Sequence, residues 1–330
     1  MDRLYRSARL MAVIDGWATR GVFQKLADGG GQSLSDLPGD ERALRITARI
    51  LANAGLLVRH GEKWALSAAA AQLQSDGAFT SAHGASSFGN LVQMPDILKK
   101  GGPVVDESGE SRSSTIGVYP DNPDKTGSFL RMLYRRSESS AKETAHWIDD
   151  GVDSSSSILD LGGGHGRYGR ELVRLGHDAT LFDLPLCIDV ARDIHGDKLA
   201  YRGGDFFTDD LGGPYDVVFA SNIVHGLAGE KNHRLIQRAA DVLAPGGIVV
   251  LKDMFLDEFG LWPPRAVHFG LTMLMHTDEG DSYSLTEANT WFKQAGLTPL
   301  EPVIFDGFSL LSAKNSTATS APSTGGRFFS

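Results

Sequence analysis

Cysteine is almost absent from this chain: Cys187 is the only one among 330 residues. A single thiol cannot form an intramolecular disulfide or a cysteine-rich metal site, which excludes a secreted disulfide scaffold. The sequence also lacks an apolar run near the ~18 residues of a membrane span, and no apolar signal core follows its first residues. These absences predict a cytoplasmic protein without a membrane partner.

Basic residues are outnumbered by acidic ones. Lysine and arginine total 32 and aspartate and glutamate total 41, which gives a formal net charge of −9. An acidic balance disfavours non-specific binding to nucleic acid. The apolar fraction of 41% is ordinary for a globular protein, and 330 residues suffice for roughly two domains. We therefore expect a two-domain protein without a nucleic-acid partner.

The N-terminal part carries apolar side chains at helical spacing, from Ala12 to Leu26 and again over 41–54. Two short apolar runs around Gly61 then predict a small hairpin. Two helices followed by a two-stranded wing are typical of a winged-helix domain. The second helix carries the arginines Arg42, Arg45 and Arg49. No dense basic stripe surrounds them, so we favour a dimerisation or lid module over DNA binding and expect a homodimer.

After residue 150 the pattern changes to alternating strands and helices, which predicts an α/β domain with a parallel sheet. Two apolar runs flank Asp306 and Gly307 and predict a terminal antiparallel hairpin, which most dinucleotide-binding sheets lack. We divide the chain into a winged-helix-like domain (1–100), a connector with a linking helix at 126–149 (101–150), the α/β domain (151–314) and a disordered tail (315–330).

A glycine-rich turn joins the first strand of the α/β domain to a helix: Asp160-Leu161-Gly162-Gly163-Gly164-His165-Gly166-Arg167-Tyr168-Gly169. Gly164, Gly166 and Gly169 satisfy the dinucleotide fingerprint G-x-G-x-x-G. The same segment also fits acid-x-Gly-x-Gly-x-Gly, beginning at Asp160. A carboxylate inside the turn would repel a pyrophosphate and attract an ammonium and a sulfonium group, both of which S-adenosylmethionine (SAM) carries.

Three later features fit the same ligand. Asp183 ends the second strand, where a carboxylate can accept the ribose hydroxyls, although NAD enzymes use the same device. Asp205 and Phe206 follow the third strand, and an aspartate beside an aromatic ring suits the adenine amine. Residues 244–247 (Ala-Pro-Gly-Gly) predict a tight turn before the fifth strand. The four features together favour SAM as the cofactor.

In these motifs, residues 11–314 resemble the small-molecule SAM-dependent O-methyltransferases. That family joins a winged-helix-like dimerisation domain to a Rossmann-like methyltransferase domain. The matching motifs lie at 159–166, 182–185, 204–207, 221–225 and 243–247. The resemblance implies that SAM is bound by Gly162, Gly164, Asp183, Leu184, Asp205 and Phe206. It also implies a largely main-chain contact from Ser221 and places Ser137 near the methionine end, while Asp160 joins the cofactor set by its position in the turn.

Methyl transfer to a hydroxyl needs a base, and imidazole titrates near neutrality. His225 lies just past a predicted strand, at the edge where open α/β sheets bind ligands. By the resemblance, His225 falls on the family's catalytic histidine, and Asp253 falls on the acid that orients or polarises it. The family's Asp-Trp after the histidine is replaced by Gly226-Leu227, and a second acid of plant members falls near Ser282. These departures leave thiol, amine and carbon acceptors open.

The segment 267–276 matches the family's substrate-pocket helix, so Met273 and His276 are expected to line the acceptor pocket. Asn222, beside Ser221, is expected to contact the acceptor as well. His268 and His276 lie eight residues apart without a third ligand at suitable spacing, so we predict no metal site.

The leading hypothesis is a SAM-dependent methyltransferase that acts on a small molecule, with a hydroxyl of a secondary metabolite as the acceptor and His225 as the base. An NAD-dependent oxidoreductase is disfavoured by Asp160 and by the terminal hairpin. A winged-helix regulator with a SAM-sensing domain is disfavoured by the acidic charge. A SAM-binding family member with other chemistry, such as hydroxylation or rearrangement, stays open because of the residues that follow His225.

Overall fold

A computed structural model of the protein describes residues 2–76, 79, 90–105 and 122–315. The chain divides into two compact units, Met1–Val104 and Val105–Ser330. Residues 106–121 of the predicted connector and, apart from Asn315, all of the predicted tail lie outside the described residues. No described helix combines the length and apolar character needed to cross a membrane.

The N-terminal unit is mostly helical. Its helices are Asp2–Thr19 (α1), Val22–Gly29 (α2), Glu41–Asn53 (α3), Ala68–Ser75 (α4) and Met94–Lys100 (α5), with a 3-10 turn at Leu34–Asp36. Strands Leu57–His60 (β1) and Lys63–Leu66 (β2) form the predicted hairpin. Gly21, with φ +70°, separates α1 from α2 because this left-handed conformation is open to glycine and interrupts a helix. The Asp40 side chain caps α3 by accepting from the Ala43 amide at 2.8 Å.

The C-terminal unit is built on one eight-stranded sheet. Its strands are Ser157–Leu161 (β3), Asp178–Asp183 (β4), Ala200–Gly203 (β5), Tyr215–Ser221 (β6), Leu243–Asp253 (β7), Leu297–Pro299 (β8), Val303–Phe305 (β9) and Phe308–Asn315 (β10). The strand order is β5-β4-β3-β6-β7-β10-β8, with β9 also paired to β10. The first five strands are parallel, and β10 runs antiparallel to its neighbours. The predicted Rossmann-like sheet and its terminal hairpin, in which Phe305 pairs with Phe308, are confirmed.

Seven helices surround this sheet in the described part of the C-terminal unit. They are Pro123–Arg136 (α6), Glu138–Gly151 (α7), Arg167–Arg174 (α8), Pro185–His195 (α9), Gly229–Asp241 (α10), Pro264–His276 (α11) and Leu285–Gln294 (α12). Side chains alternate between the two faces of a strand, so β6 sends Val218 into one apolar cluster and Val217 into the other. The first cluster is covered by α10 and α12, and the second by α7, α8 and α9.

Two local expectations need correction. The helix predicted over 126–149 is two helices, because α6 ends and α7 begins at Ser137. The Ser137 hydroxyl donates to the Tyr134 carbonyl at 3.1 Å, a local bond of the kind that competes with helix continuation. The turn predicted at 244–247 is a bulge inside β7, because the pairing with β6 jumps from Tyr215–Leu243 to Val217–Ile248.

Candidate active site

The glycine loop, residues 162–166, lies between β3 and α8 at the carboxyl end of the parallel sheet. Gly162, Gly164 and Gly166 all have positive φ, at +66°, +53° and +69°. A Cβ atom at Gly162 would clash with the Ile223 side chain, which follows β6. The missing side chains therefore let the backbone form an open cradle beside the end of β6.

Asp160 lies beneath this loop and is fully buried. Its Oδ2 accepts from the Gly169 amide at 2.9 Å, whereas its Oδ1 has no hydrogen-bond partner among the described residues. Burial raises the pKa of Asp160 to about 7, and the neighbouring Asp183 adds to the shift. A cationic group at this loop would stabilise the ionised carboxylate, as the sequence analysis requires.

Asp183 holds the loop from the end of β4. Its Oδ2 accepts from the Gly164 amide and its Oδ1 from the Leu184 amide, each at 2.7 Å. Burial raises the pKa of Asp183, and the two amide donors act in the opposite direction. The Cys187 thiol adds a third hydrogen bond, and these bonds together fix the carboxylate at the end of β4.

The segment after β5 presents Asp205 and Phe206. The Gly204 amide donates to the Asp183 carbonyl at 2.9 Å, which fixes this segment beside the end of β4. Asp205 is exposed, and its Oδ1 accepts from the Phe207 amide at 2.8 Å. Phe206 is half-buried near Gly162, where a Cβ would lie 3.8 Å from its ring. The structure thus brings Gly162, Gly164, Asp183 and Phe206 to one edge of the sheet.

Ser221 ends β6, and Asn222 follows it directly. Ser221 is buried, and its Oγ accepts from the Asn222 side-chain amide at 2.9 Å. Asn222 is exposed and has a left-handed φ of +56°, which few residues other than glycine adopt readily. Its main-chain amide donates to the Lys252 carbonyl at 2.8 Å. This turn redirects the chain toward the 3-10 helix Val224–Gly226.

His225 and Asp253 make direct contact. The Nδ1 atom of His225 lies 2.8 Å from Oδ1 and 3.0 Å from Oδ2 of Asp253. Burial alone would raise the pKa of Asp253, but His225, the Met254 amide and Lys252 together hold that pKa below its usual value. The tautomer that fits donates from Nδ1 to the carboxylate and carries its lone pair on Nε2.

Three further groups fix His225, and no motif in the sequence marks them. The Asp281 amide donates to the His225 carbonyl at 2.9 Å. The Gly280 backbone passes so close that a Cβ there would lie 2.5 Å from the same carbonyl. The Phe269 ring meets the imidazole edge-to-face, with centroids 4.8 Å apart and an angle of 89°. The available sequence signal was spacing, since Phe269 lies one helical turn before Met273.

The predicted acceptor residues Met273 and His276 lie on the last two turns of α11. Met273 is buried and His276 is half-buried. They follow Phe269 at i+4 and i+7, so the three share one helix face. This face contains the contact to His225, and the roles of Met273 and His276 stay predictions.

Ser282 is buried, and its Oγ donates to the Ala266 carbonyl at 2.8 Å, so this hydroxyl has a structural role. The Oδ1 atom of the preceding Asp281 accepts from the Ser282 amide at 2.7 Å. Asp253 is therefore the carboxylate that the described residues place on His225.

Ser137 lies beside the glycine loop. Its Oγ is 3.4 Å from Nε2 of His165, whose Nδ1 accepts from the Arg167 amide at 3.1 Å. Burial, together with the nearby Arg167, lowers the pKa of His165 to about 3, so this imidazole stays neutral. The contact places Ser137 beside His165, and the predicted approach of Ser137 to the methionine end of the cofactor stays a prediction.

Comparison with known proteins identifies a family for this chain. Residues 112–298, more than half of the chain, match the family model of the O-methyltransferase domain. The chain is 28% identical over 269 residues to the tetracenomycin polyketide synthesis 8-O-methyltransferase of Streptomyces glaucescens, covering 77% of this chain and 76% of the relative. It is 27% identical over 328 residues to the 3-hydroxy-5-methyl-1-naphthoate 3-O-methyltransferase of Streptomyces sahachiroi, covering 92% and 89%.

Solved structures share the fold. Human N-acetylserotonin methyltransferase in complex with SAM is 20% identical, covers 96% of each chain and has a TM-score of 0.75. The mitomycin 7-O-methyltransferase is 20% identical, covers 95% of this chain and 96% of its own, and has a TM-score of 0.77.

Proposed function

Because the chain belongs to the O-methyltransferase domain family, we propose that it transfers a methyl group from SAM to a hydroxyl group of a small molecule in secondary metabolism. The observation that carries the proposal is the His225–Asp253 contact at the carboxyl edge of the sheet. A hydroxyl acceptor is the substrate that most needs such a base, which favours it over thiol, amine and carbon acceptors.

The glycine loop fits the cofactor on two observations. The loop keeps a cradle open that side chains would fill, and the buried Asp160 offers an oxygen without a partner. Asp160 and Ser137 would face the methionine end, Asp183 and Leu184 the ribose, and Asp205 and Phe206 the adenine, with Ser221 adding a main-chain contact. SAM when bound supplies an electrophilic methyl group on a sulfonium, whose thioether is a good leaving group.

His225 acts as the general base. Its Nε2 accepts the acceptor's hydroxyl proton, because Nδ1 is held by Asp253 at 2.8 Å. The ionised Asp253 then stabilises the imidazolium that forms, and the depressed pKa of Asp253 keeps it charged for that purpose. Asp253 is a positioning residue, since it acts through His225.

Displacement at a methyl group needs the reacting oxygen in line with the departing sulfur, so small errors of position slow the reaction. His225 is fixed through its ring by Asp253 and Phe269 and through its carbonyl by the Asp281 amide. Asn222, Met273 and His276 complete the acceptor side. We infer that this fixation compensates for the missing Asp-Trp dipeptide after His225.

Two further features belong to the same proposal. We infer a homodimer formed through the winged-helix-like unit, since the family that the chain resembles uses such a domain for dimerisation. We infer a cytoplasmic location, since a lone buried thiol, Cys187, suits a reducing compartment.

The test is release of S-adenosylhomocysteine in the presence of panels of phenols, alcohols, thiols and amines, with calorimetric titration of SAM and of NAD. We expect SAM to bind and a hydroxyl compound to be methylated. The variant His225→Ala should lose turnover and keep SAM affinity, whereas His60→Ala, an exposed histidine on β1, should match the unaltered protein. NAD binding without SAM binding would contradict the proposal. Full turnover of His225→Ala would show that His225 is not the general base.

A further inference from the structure

A basic cleft of about 370 Å³ lies on the C-terminal unit, among α6, α7, α8 and the end of α9. Its lining includes five cations: Lys142, Arg167, Arg170, Arg174 and Lys198. Two carboxylates, Glu138 and Glu171, oppose them. No lining residue belongs to the cofactor, base or acceptor groups of the candidate active site. The excess of positive charge contrasts with the net −9 of the whole chain.

The two carboxylates are already engaged. Glu138 pairs with Lys142 at 2.7 Å, and Glu171 pairs with Arg174 at 3.3 Å. Within the described ranges, neither Arg170 nor Lys198 forms an ion pair. These two cations are the ones that the protein leaves unneutralised in the cleft.

Arg167 adds a third donor group that is only partly satisfied. Its guanidinium stacks on the Tyr134 ring at 3.8 Å, which fixes its plane. Its ion pair with Glu138 is long, at 3.8 Å, and its Nε is buried without a hydrogen-bond partner in the part of the chain that the structure describes. The side chain is 12% exposed, so this guanidinium is held rigidly rather than free in solvent.

The pKa of His195 shows that positive charge dominates the cleft. Its Nε2 donates to the His165 carbonyl at 3.0 Å. Burial lowers the pKa of His195, and Arg170, Arg167 and Lys198 all lower it further. The three cations therefore lie near one another around His195, and an anion bound among them would relieve their mutual repulsion.

We propose that this cleft binds a small molecule through a phosphate group, held by Arg167, Arg170 and Lys198. Arginine forks match the geometry of phosphate oxygens, and charge-assisted bonds of this type are the stronger ones in proteins. Arg167, Arg170 and Arg174 follow one another at i, i+3 and i+7, so α8 presents all three on one face. The cleft volume exceeds what phosphate alone requires, which leaves room for an organic ester.

Calorimetric titration of the full chain tests the proposal, with inorganic phosphate in one arm and ribose 5-phosphate in the other. Sodium chloride at matched ionic strength corrects for screening. We expect saturable binding, tighter for the ester if the organic part contacts the cleft and equal if phosphate alone is recognised. Neither arm needs SAM or turnover, so failure here is distinct from failure of the proposed methyl transfer.

The variant Arg170→Gln/Lys198→Gln should bind about a hundredfold more weakly, because each lost charge-assisted bond corresponds to about tenfold in affinity. The matched variant Lys25→Gln/Lys293→Gln removes two exposed cations outside the cleft and should bind normally. Lys198→Gln alone, an exposed change, serves if the double variant does not fold. No saturable binding in either arm, or equal weakening by both double variants, overturns the proposal.

Discussion

The substitution Asp253→Asn tests the proposed pairing of the base His225 with Asp253 directly. It preserves the size of the side chain and removes its charge, which lies 2.8 Å from Nδ1 of His225. Unit charges about 4 Å apart at an effective dielectric constant of about 20 interact by about 4 kcal/mol. If all of that stabilises the imidazolium in the transition state, turnover falls by about three powers of ten. Because the asparagine can still hydrogen-bond to Nδ1, we expect a loss between about tenfold and about a thousandfold.

The assay is single-turnover formation of S-adenosylhomocysteine with a saturating acceptor, together with calorimetric SAM affinity. Affinity should not change, because Asp253 contacts His225 rather than the glycine loop. Asp253→Glu should recover part of the rate by restoring the charge. Glu258→Gln, an exposed acid five residues further along, is the matched control. Unchanged turnover in Asp253→Asn would refute the reasoning that a carboxylate supports the base.

Three other predictions follow from the same site. The pKa of Asp160 lies at about 7 without a cation and falls beside one, so binding of SAM should release up to one proton at about pH 6 and fewer at about pH 8. Calorimetry in buffers of different ionisation enthalpy measures this release, and Asp160→Asn should abolish it. Phe269→Ala should lower kcat with little change in SAM affinity, since its ring contacts His225; an unchanged kcat would show that the ring contact is incidental. Gly162→Ala should weaken SAM binding and lower the melting temperature, because its φ of +66° and the Ile223 side chain leave no room for a Cβ; normal SAM affinity would contradict the cradle.

The sign of the Asp160 effect also predicts how the free protein responds to pH. A carboxyl group whose pKa is raised on folding contributes stability below its unfolded value, near 4, and loses it as the pH rises through about 7. Asp253 has the opposite sign: its pKa is lowered, so its contribution is present above the unfolded value and is lost only in acid.

Local chemistry made several features predictable from the sequence. The Asp306-Gly307 turn specifies a hairpin because glycine adopts the positive φ required there, and Gly307 has φ +90°. The position of the glycine loop and Asp160 was predictable because the end of a strand, a tight turn and the start of a helix all fall within the ten residues 160–169. The pairing of His225 with Asp253 came from the family resemblance, since nothing local relates residues 28 positions apart.

Other features depend on packing that the sequence does not display. Ser137 separates α6 from α7 although it is neither glycine nor proline, and its φ and ψ of −91° and 5° lie in the bridge region, which most residue types can adopt. Phe269 belongs to a helix whose apolar residues all suit a core, so its contact with His225 depends on how α11 packs over the 3-10 helix. The Asp281 amide is a main-chain donor, which no residue type reveals.

The buried carboxylates at the edge of the sheet differ in the direction of their pKa shifts because their surroundings differ. Asp160 and Asp183 are shifted upward by burial without a cationic partner, whereas Asp253 is equally enclosed and is shifted downward by His225. Opposed shifts of this kind separate the roles of otherwise similar groups. Burial opposes ionisation of Asp160 and Asp183 at the ends of β3 and β4, and a bound cation would favour it, which suits a cofactor site. The end of β7 holds its charge beforehand, which suits a group that must stabilise an imidazolium at the moment of proton transfer. Under the proposed function, the same residue type would serve cofactor binding on one side of β6 and support of the base on the other.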